Sequence, residues 1–294
     1  MSDTALVAKP LELDPALVTA FHRDGAVLVR GFLTDAELAM LEAGVEEVKD
    51  RPSAMYSRVE SSDGSGETIV DQFPGQRSPN LAGLLEKGRS AELAARMLGT
   101  DSAQLILDQL FYKTPGRVVP TPWHQDTPFL RVRGADLARV WLTCDPSPPD
   151  VTVQVVRGSH LWNVVYDTGG DADSGVAMAA EGDAFSYSGI GDERAPKVPD
   201  IEKLRDSFDI LSWDVQPGDA VVFHGNVLHG ASGKDNHPLP RRAYASMWGG
   251  PDLRFHAQMP HAMPLPVDQG DDPVPHGAPI GDYPGVFPVM WRKG

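Results

Sequence analysis

The segment QLILDQLFYK, residues 104–113, decides the fold, because the apolar pattern changes there from a helical period to a period of two. Turn signals such as Thr114-Pro-Gly116 and Pro217-Gly-Asp219 separate the later segments that follow this pattern. The predicted strands are residues 104–113, 137–144, 151–156, 208–215, 220–223 and 242–248. Short strands at this density predict a β-sandwich or a β-barrel.

The segment before these strands predicts flanking helices, so the fold class is mainly β with helices (α+β). Asp14-Pro15 is a helix start, and Gly25 is the matching stop. Thr34-Asp-Ala-Glu37 is a capping box that opens a second helix. Helical patterns return over residues 79–98, where Ser90 is the expected N-cap of the last helix.

Three segments lack a clear period. Residues 51–66 are polar and predict a loop. Residues 165–200 are rich in Gly, Asp and Ala and predict a long insertion that covers a functional site. The segment from Pro251 is rich in Pro and His and predicts an extended tail over the surface. No internal repeat and no domain linker interrupts the pattern.

Composition excludes several classes of function. The chain has 294 residues with 26 Lys+Arg, 41 Asp+Glu and a net charge of −15, which argues against a nucleic-acid partner because phosphates need basic residues. No apolar run approaches the roughly 20 residues of a membrane span, and Met1-Ser2-Asp3-Thr4 does not resemble a signal peptide. Cys144 is the only cysteine, which excludes an internal disulfide and fits the cytoplasm.

Trp123-His124-Gln125-Asp126 is the first candidate for chemistry. In an extended segment residues two apart share one side, so His124 and Asp126 are placed to bind one metal ion together. The His-x-Asp pattern alone is weak, and a second copy, His22-Arg23-Asp24, is interpreted as a solvated helix end.

A metal site of this kind needs a third ligand from a distant strand. The segment around residues 221–232 offers His224 and His229, and His229 is followed by Gly230, which permits a close backbone approach. The two histidines differ in parity, so in a regular strand they face opposite sides. One of them is then a packed core histidine.

Two further patterns place cations near the predicted site. Only one of the adjacent Arg241 and Arg242 can point inward, where a guanidinium binds a carboxylate through two parallel hydrogen bonds. Gln109, Phe111 and Lys113 share one face of the first long strand. Taken alone, each pattern also fits an ordinary solvated surface.

The ordered set of motifs resembles the phytanoyl-CoA dioxygenase (PhyH-like) family of Fe(II)/2-oxoglutarate oxygenases. The resemblance covers about residues 20–250, and any one motif is loose whereas the ordered set is specific. It rests on Lys113, His124-x-Asp126, Trp141, Gly158-Ser-His160, Pro217-Gly-Asp219, Phe223-His224, His229-Gly230 and Arg241-x-Ala243.

The resemblance implies a single double-stranded β-helix domain (a jelly-roll or cupin-like barrel) over residues 1–294, with N-terminal helices over about 12–98. It implies that His124, Asp126 and His229 hold Fe(II). It implies that Arg241 and Lys113 bind the cosubstrate 2-oxoglutarate, with help from Gln109. The reaction implied consumes O2, releases succinate and CO2, and hydroxylates a small organic substrate.

The sequence departs from the family pattern at two places. Ala231 stands where the family often has Ser, and Asp150-Val-Thr-Val replaces the usual Asn-Gly before the Gly-Ser-His turn. The first departure lies in the expected cosubstrate pocket. The second lies in a turn and in the expected substrate wall. The carboxylate of Asp126 favours hydroxylation over halogenation, while desaturation and ring chemistry stay open.

Two other functions fit parts of the pattern: a catalytically silent β-barrel binding protein, and a cupin-type metal enzyme without 2-oxoglutarate. The predicted substrate walls are residues 165–200, Phe129-Leu130 and residues 248–256. We expect Trp141 to pack beside the site and His160 to serve a turn. Surface positions are expected for four other histidines: His237, His256, His261 and His276. The substrate and the oligomeric state stay open.

Overall fold

The computed structural model describes residues 11–61, 63–118, 120–167, 195–231, 233–257, 263–267 and 274–294. The four α-helices of these residues lie before the main strands, as the sequence predicts. They are α1 (Pro15–Asp24), α2 (Asp35–Lys49), α3 (Pro79–Lys87) and α4 (Ser90–Leu98). None of the helices in the described residues has the length and apolar character that a membrane span requires.

The helix ends follow the predicted capping chemistry with one exception. The Asp14 carboxylate accepts a hydrogen bond from the Ala16 amide at 2.8 Å, and Thr34 and Glu37 form the capping box of α2. Gly25 ends α1 with φ of 82°, a left-handed conformation that glycine adopts without strain. The prediction that Ser90 caps α4 is wrong, because α4 already begins at Ser90 and its N-cap is Arg89, whose side chain makes no capping bond.

The strands form one large sheet, one smaller sheet and two short ribbons. The strands of the described residues are β1 (Ala26–Val29), β2 (Ser57–Glu60), β3 (Glu67–Gln72), β4 (Ser102–Lys113), β5 (Gly116–Val118), β6 (Thr121–His124), β7 (Val132–Arg133), β8 (Leu137–Thr143), β9 (Gln154–Val156), β10 (Ile210–Leu211), β11 (Ala220–His224), β12 (His229–Ala231), β13 (Lys234–His237), β14 (Arg241–Gly249), β15 (Arg254–Phe255) and β16 (Val289–Arg292).

The large sheet has the order β1-β11-β8-β14-β4-β3-β2, with β16 also paired to β4, and the smaller sheet has the order β10-β9-β12-β6. No hydrogen-bonded pairing in the described residues joins the two sheets, so the predicted jelly roll consists of two separate sheets and is not closed as a barrel. The described pairings of both sheets are antiparallel. This is the arrangement of a double-stranded β-helix.

The two faces of the large sheet have different roles. Its outer face packs against the helices, and a core cluster joins Leu93 and Met97 of α4 to Leu105, Tyr244 and Trp248 of the sheet. Burying these side chains supplies most of the hydrophobic stabilisation of this layer. The inner face is therefore left for the pocket described below.

Two sequence predictions about strands need correction. Residues 51–66 are not all loop, because residues 57–60 form β2 and pair with β3. The predicted strands 151–156 and 208–215 shrink to the three residues of β9 and the two residues of β10. Strands of two or three residues give little periodic signal, because they form only by pairing with partners far away in the chain.

The C-terminal segment is more than the extended surface tail that the sequence predicts. Leu253, Phe255, Ile280 and Phe287 are buried in one cluster with residues of the strand region. Strand β16 pairs with β4, so the end of the chain completes the large sheet. Residues 168–194 of the predicted insertion lie outside the described residues.

We predict that Phe287→Ala lowers the free energy of unfolding by about 3 to 5 kcal/mol, because the ring is 1% exposed and its removal leaves a cavity. Leu239→Ala, at a side chain 53% exposed, is the matched control and should change stability by less than about 0.5 kcal/mol. Denaturant unfolding measures both. Equal effects of the two substitutions would mean that the segment does not pack as described.

Candidate metal centre and adjoining pocket

Strands β6 and β12 bring two histidines together. They pair antiparallel with His229 directly opposite His124, and the ring centroids are 4.2 Å apart. Asp126 follows two residues after His124, and its amide donates to the Gly225 carbonyl at 3.0 Å. One potential ligand atom from each of the three side chains lies within 4.8 Å of the others. Asp126 Oδ1 is 3.9 Å from His124 Nε2 and 3.7 Å from His229 Nε2.

The imidazoles are held in the form that binds metals. His124 Nδ1 lies 2.7 Å from the Pro122 carbonyl, and His229 Nδ1 lies 3.1 Å from the Val227 carbonyl. Since carbonyls only accept, each Nδ1 carries the proton and each Nε2 keeps its lone pair. Burial lowers the pKa of His124 and lowers that of His229 to about 3, with the neighbouring His124 as a second cause. Both rings are therefore neutral at pH 7, as metal binding requires.

Gln125, the residue between the two candidate ligands, is held in place by hydrogen bonds of its side chain. Its Nε2 donates to the Val164 carbonyl at 2.9 Å and to the Asn226 carbonyl at 2.8 Å. Its Oε1 accepts from the Tyr166 amide at 2.9 Å. The side chain thus ties the His-x-Asp segment to the loop before β12 and to the start of the insertion.

Arg139 is a charged neighbour of the site that the sequence prediction missed. Its Nε lies 3.1 Å from Asp126 Oδ2, without the alignment of a hydrogen bond, and both side chains are buried. The ion pair compensates part of the negative charge of Asp126. The available signal was a lone arginine inside the apolar strand LARVWLT, because buried charges in proteins nearly always have a partner.

Two cations face each other at the other end of the pocket. In the register of β4 and β14, Lys113 lies opposite Arg241. Arg241 Nη1 donates to the Val151 carbonyl, while Nε and Nη2 are buried without a hydrogen-bond partner. Burial, and then the charge of Arg241, lower the pKa of Lys113 to about 7. Two buried guanidinium N–H groups of this kind fit a carboxylate.

The prediction that only one arginine of the pair points inward is confirmed. Arg242 faces the opposite side of β14, where its guanidinium donates to Asp145 at 2.8 Å and to Glu46 at 3.0 Å. These carboxylates raise the pKa of Arg242, whereas burial lowers the pKa of Arg241 to about 10.

A pocket joins the three candidate ligands to the two cations. Gln109, Phe111 and Lys113 line it together, so the predicted shared face of this strand is confirmed. Trp141 also lines the pocket and packs against a core cluster, as expected. The space between these walls measures about 1060 Å³ when the open solvent at its mouth is included.

The walls of the pocket agree in part with the prediction. Phe129 and Leu130 line it, but residues 248–256 do not, and Met263 lines it instead. Trp248 points to the helix-covered face of the large sheet, where it is fully buried. The departure at Asp150-Val-Thr-Val places Val151 and Val153 in the wall beside Arg241, and Ala231 lines the pocket as well.

Among the described residues, the other histidines lie outside the candidate metal centre. The ring of His224 packs 5.1 Å from that of His160, which lies in the short 3-10 turn Ser159–Trp162. The surface position predicted for His237 is wrong, because its side chain is buried and its Nδ1 lies 2.8 Å from the Leu239 carbonyl. His256 is half-buried, His276 is exposed, and His261 lies outside the described residues.

Comparison with known proteins shows relatives along most of the chain. The chain is 24% identical over 228 residues to the ectoine dioxygenase of Sphingopyxis alaskensis, which covers 76% of this chain and 71% of that protein. It is 22% identical over 241 residues to the dioxygenase FrzG of Cladobotryum sp, covering 78% of this chain and 72% of that protein.

A solved structure shares the fold. The non-heme alpha ketoglutarate dependent epimerase SnoN from nogalamycin biosynthesis superposes with a TM-score of 0.67 at 19% identity. The match covers 95% of this chain and 100% of that chain. The predicted double-stranded β-helix is confirmed by this likeness.

The family match and the dioxygenase relatives, together with the His–Asp–His triad, define the protein class, a 2-oxoglutarate-dependent non-heme iron dioxygenase. The model of the phytanoyl-CoA dioxygenase (PhyH) family matches residues 21–243, and the chain belongs to that family.

We predict that Lys113 titrates near pH 7, far below the ordinary pKa of a lysine, because it is buried beside Arg241. The side chain is protonated below that pH and neutral above it. NMR of the Lys Cε resonances against pH measures this, and Lys113→Arg removes the signal concerned. Arg241→Gln should raise the pKa only in part, since burial is the larger cause. A Lys113 that titrates above about pH 9 would contradict the described environment.

Proposed function

We propose that the protein hydroxylates a small organic substrate, with 2-oxoglutarate and O2 consumed and succinate and CO2 released. The observation that carries the proposal is one pocket with a His–Asp–His triad at one end and the unpartnered N–H groups of Arg241 at the other. Binding of 2-oxoglutarate requires a metal with open coordination positions and a receptor for the carboxylate that lies far from the metal.

The proposed metal ligands are His124, Asp126 and His229. Two neutral imidazoles and one carboxylate are the donor set that suits Fe(II), and three protein ligands leave room for the cosubstrate and O2. The bonds from Nδ1 to backbone carbonyls orient both rings before the metal arrives. Arg139 limits the motion of the Asp126 carboxylate through the ion pair at 3.1 Å.

The proposed receptor for 2-oxoglutarate is Arg241, with Lys113 and Gln109 beside it. The Nε and Nη2 groups of Arg241 donate to the distal carboxylate, and Lys113 adds charge at the same end. Gln109 lines the pocket on the strand that carries Lys113, and its side-chain amide N–H would be the donor toward the bound molecule. The arrangement favours a dianion although the whole chain carries a charge of −15.

The bound iron supplies the activation of O2 that is coupled to decarboxylation of the cosubstrate. The chain supplies orientation and a dry environment. Phe223 and Trp141 line the space between the triad and the cation end, and their rings exclude water from it. Gly230 permits the close approach of β12 to β6, because a Cβ there would lie 2.9 Å from the Thr121 carbonyl oxygen.

We predict that His124→Ala, Asp126→Ala and His229→Ala each lose Fe(II) binding and succinate formation, since two ligands do not hold the metal at working concentrations. The matched control His276→Ala removes an exposed histidine and should bind iron like the wild type. Iron content after anaerobic loading and succinate release measure the effect. Wild-type turnover of 2-oxoglutarate in any of the three variants would refute the ligand assignment.

We predict that Arg241→Lys raises the KM for 2-oxoglutarate by about 10- to 100-fold, because an ammonium cannot replace two parallel charged hydrogen bonds. Arg242→Lys is the control from the next position, and its side chain faces Asp145 and Glu46 on the other side of the sheet. The control should leave KM unchanged and affect stability alone. Equal KM values for both variants would exclude Arg241 as the receptor.

A further inference from the structure

The hairpin of β2 and β3 carries polar groups that the proposed reaction does not use. Ser57 and Gln72 line the pocket, and both residues are 2% exposed. Neither Ser57 Oγ nor Gln72 Oε1 has a hydrogen-bond partner. Gln109 Oε1, on the neighbouring strand, is unpartnered as well. Buried polar groups in native proteins are nearly all paired, so several unpaired groups in one wall indicate a ligand.

Strand register places these groups on one continuous surface. Ser57 lies opposite Val70, Val70 lies opposite Phe111, and Gln72 lies opposite Gln109. Ser57 and Gln72 are therefore diagonal neighbours, about 7 to 8 Å apart at the backbone, and a glutamine side chain bridges most of that distance. One small polar group between them is within reach of both.

The rest of this wall is apolar. Val70 and Leu107 contribute from the strands, and Phe129, Leu130 and Met263 contribute from the opposite segments. Met263 is held there by a hydrogen bond from its amide to the Phe129 carbonyl at 2.8 Å. A ligand against this wall buries mainly hydrocarbon surface.

No charged side chain of the described lining lies on the hairpin itself, and the cation nearest to it in the strand register is Lys113, opposite Thr68 of β3. The ionised groups that line the pocket are Asp126 and Arg139, which form an ion pair beside the metal ligands, and Lys113 and Arg241 at the cosubstrate end. A charged group on the substrate would be buried at the hairpin wall without a counter-charge, which is strongly unfavourable. The wall therefore discriminates against carboxylates, ammonium groups and phosphates.

We propose that the enzyme takes a neutral, mainly apolar substrate that carries a hydroxyl group, and that Ser57 and Gln72 bind this hydroxyl. A hydroxyl is suited to the pair because it donates to Gln72 Oε1 and accepts from the Ser57 hydroxyl. The inference rests on the proposed function and adds a substrate class and two specificity residues to it.

The test uses matched probes that share one carbon skeleton and differ in the terminal group, which is a neutral hydroxyl, a carboxylate or an ammonium. 4-Phenyl-1-butanol, 4-phenylbutyrate and 4-phenylbutylamine form one series, and cyclohexyl and naphthyl analogues form two more. Each compound is titrated by calorimetry into enzyme loaded anaerobically with Fe(II) and 2-oxoglutarate. We expect the alcohol to bind at least tenfold more tightly than its charged partners in at least one series. The proposal is overturned if no alcohol is preferred in any series, including the case in which no alcohol binds.

Two variants separate recognition from structure. Ser57→Ala and Gln72→Leu should each weaken binding of the preferred alcohol by about fivefold, the loss of one hydrogen bond. The Tm of the ligand-free protein should stay the same or rise, because each substitution removes an unpartnered buried polar group. A merely structural role predicts a lower Tm and unchanged alcohol affinity, which would overturn the assignment. Glu60→Gln, at an exposed position of β2, is the matched control.

Anaerobic loading with Fe(II) and 2-oxoglutarate shows whether a negative result concerns the proposed function or only the substrate class. If the wild type does not bind Fe(II) and 2-oxoglutarate, the proposed function fails before any probe is added. If it binds both and prefers the carboxylate or the amine, the proposed function stands and the substrate class is wrong.

Discussion

The pairing of β12 with β6 is the constraint on which the site depends. It places His229 opposite His124 and fixes the ring centroids at 4.2 Å. Gly230 makes the close approach possible, and the backbone bond from Asp126 to Gly225 brings in the carboxylate. Because both rings are buried and their Nδ1 atoms face carbonyls, the lone pairs of the Nε2 atoms are available. Strand register thus sets both the positions and the protonation of the triad.

The large sheet extends this arrangement along the pocket. Its outer face is closed by the helices, so its inner face alone meets the ligands. Along that face Arg139 lies beside Asp126, and Lys113 and Arg241 lie at the far end of their paired strands. Because these cations are buried, a neighbouring anion stabilises each of them strongly. The pocket therefore separates its charges into a metal end and a cosubstrate end, with neutral surface at the β2–β3 hairpin.

Sequence reasoning predicted the parts of this design that have a local signal. The caps of α1 and α2, the long strands and the expectation that only one of Arg241 and Arg242 points inward follow from residue types and periods, whereas the choice of Arg241 came from the family resemblance. The family resemblance added the order of the motifs, which the match over residues 21–243 supports. None of these predictions required knowledge of a distant partner.

The missed parts depend on long-range contacts. Strand β2 is four residues long and becomes a strand only by pairing with β3, and the C-terminal segment is buried only because a distant part of the chain receives Phe255 and Phe287. The role of Arg139 follows only from its ion pair with Asp126, which the sequence does not show. His237 is buried, although the sequence around it gives no signal of this. The elements that depend on distant partners were thus the least visible in the sequence.

One measurement tests the central claim that the triad and the cations form a single site for iron and 2-oxoglutarate. Fe(II) and 2-oxoglutarate are added anaerobically to the wild-type protein, and the visible spectrum is recorded. A metal-to-ligand charge-transfer band is expected, which saturates at one equivalent of iron and requires both additions. A spectrum that shows no band, while the protein remains folded, would contradict the account.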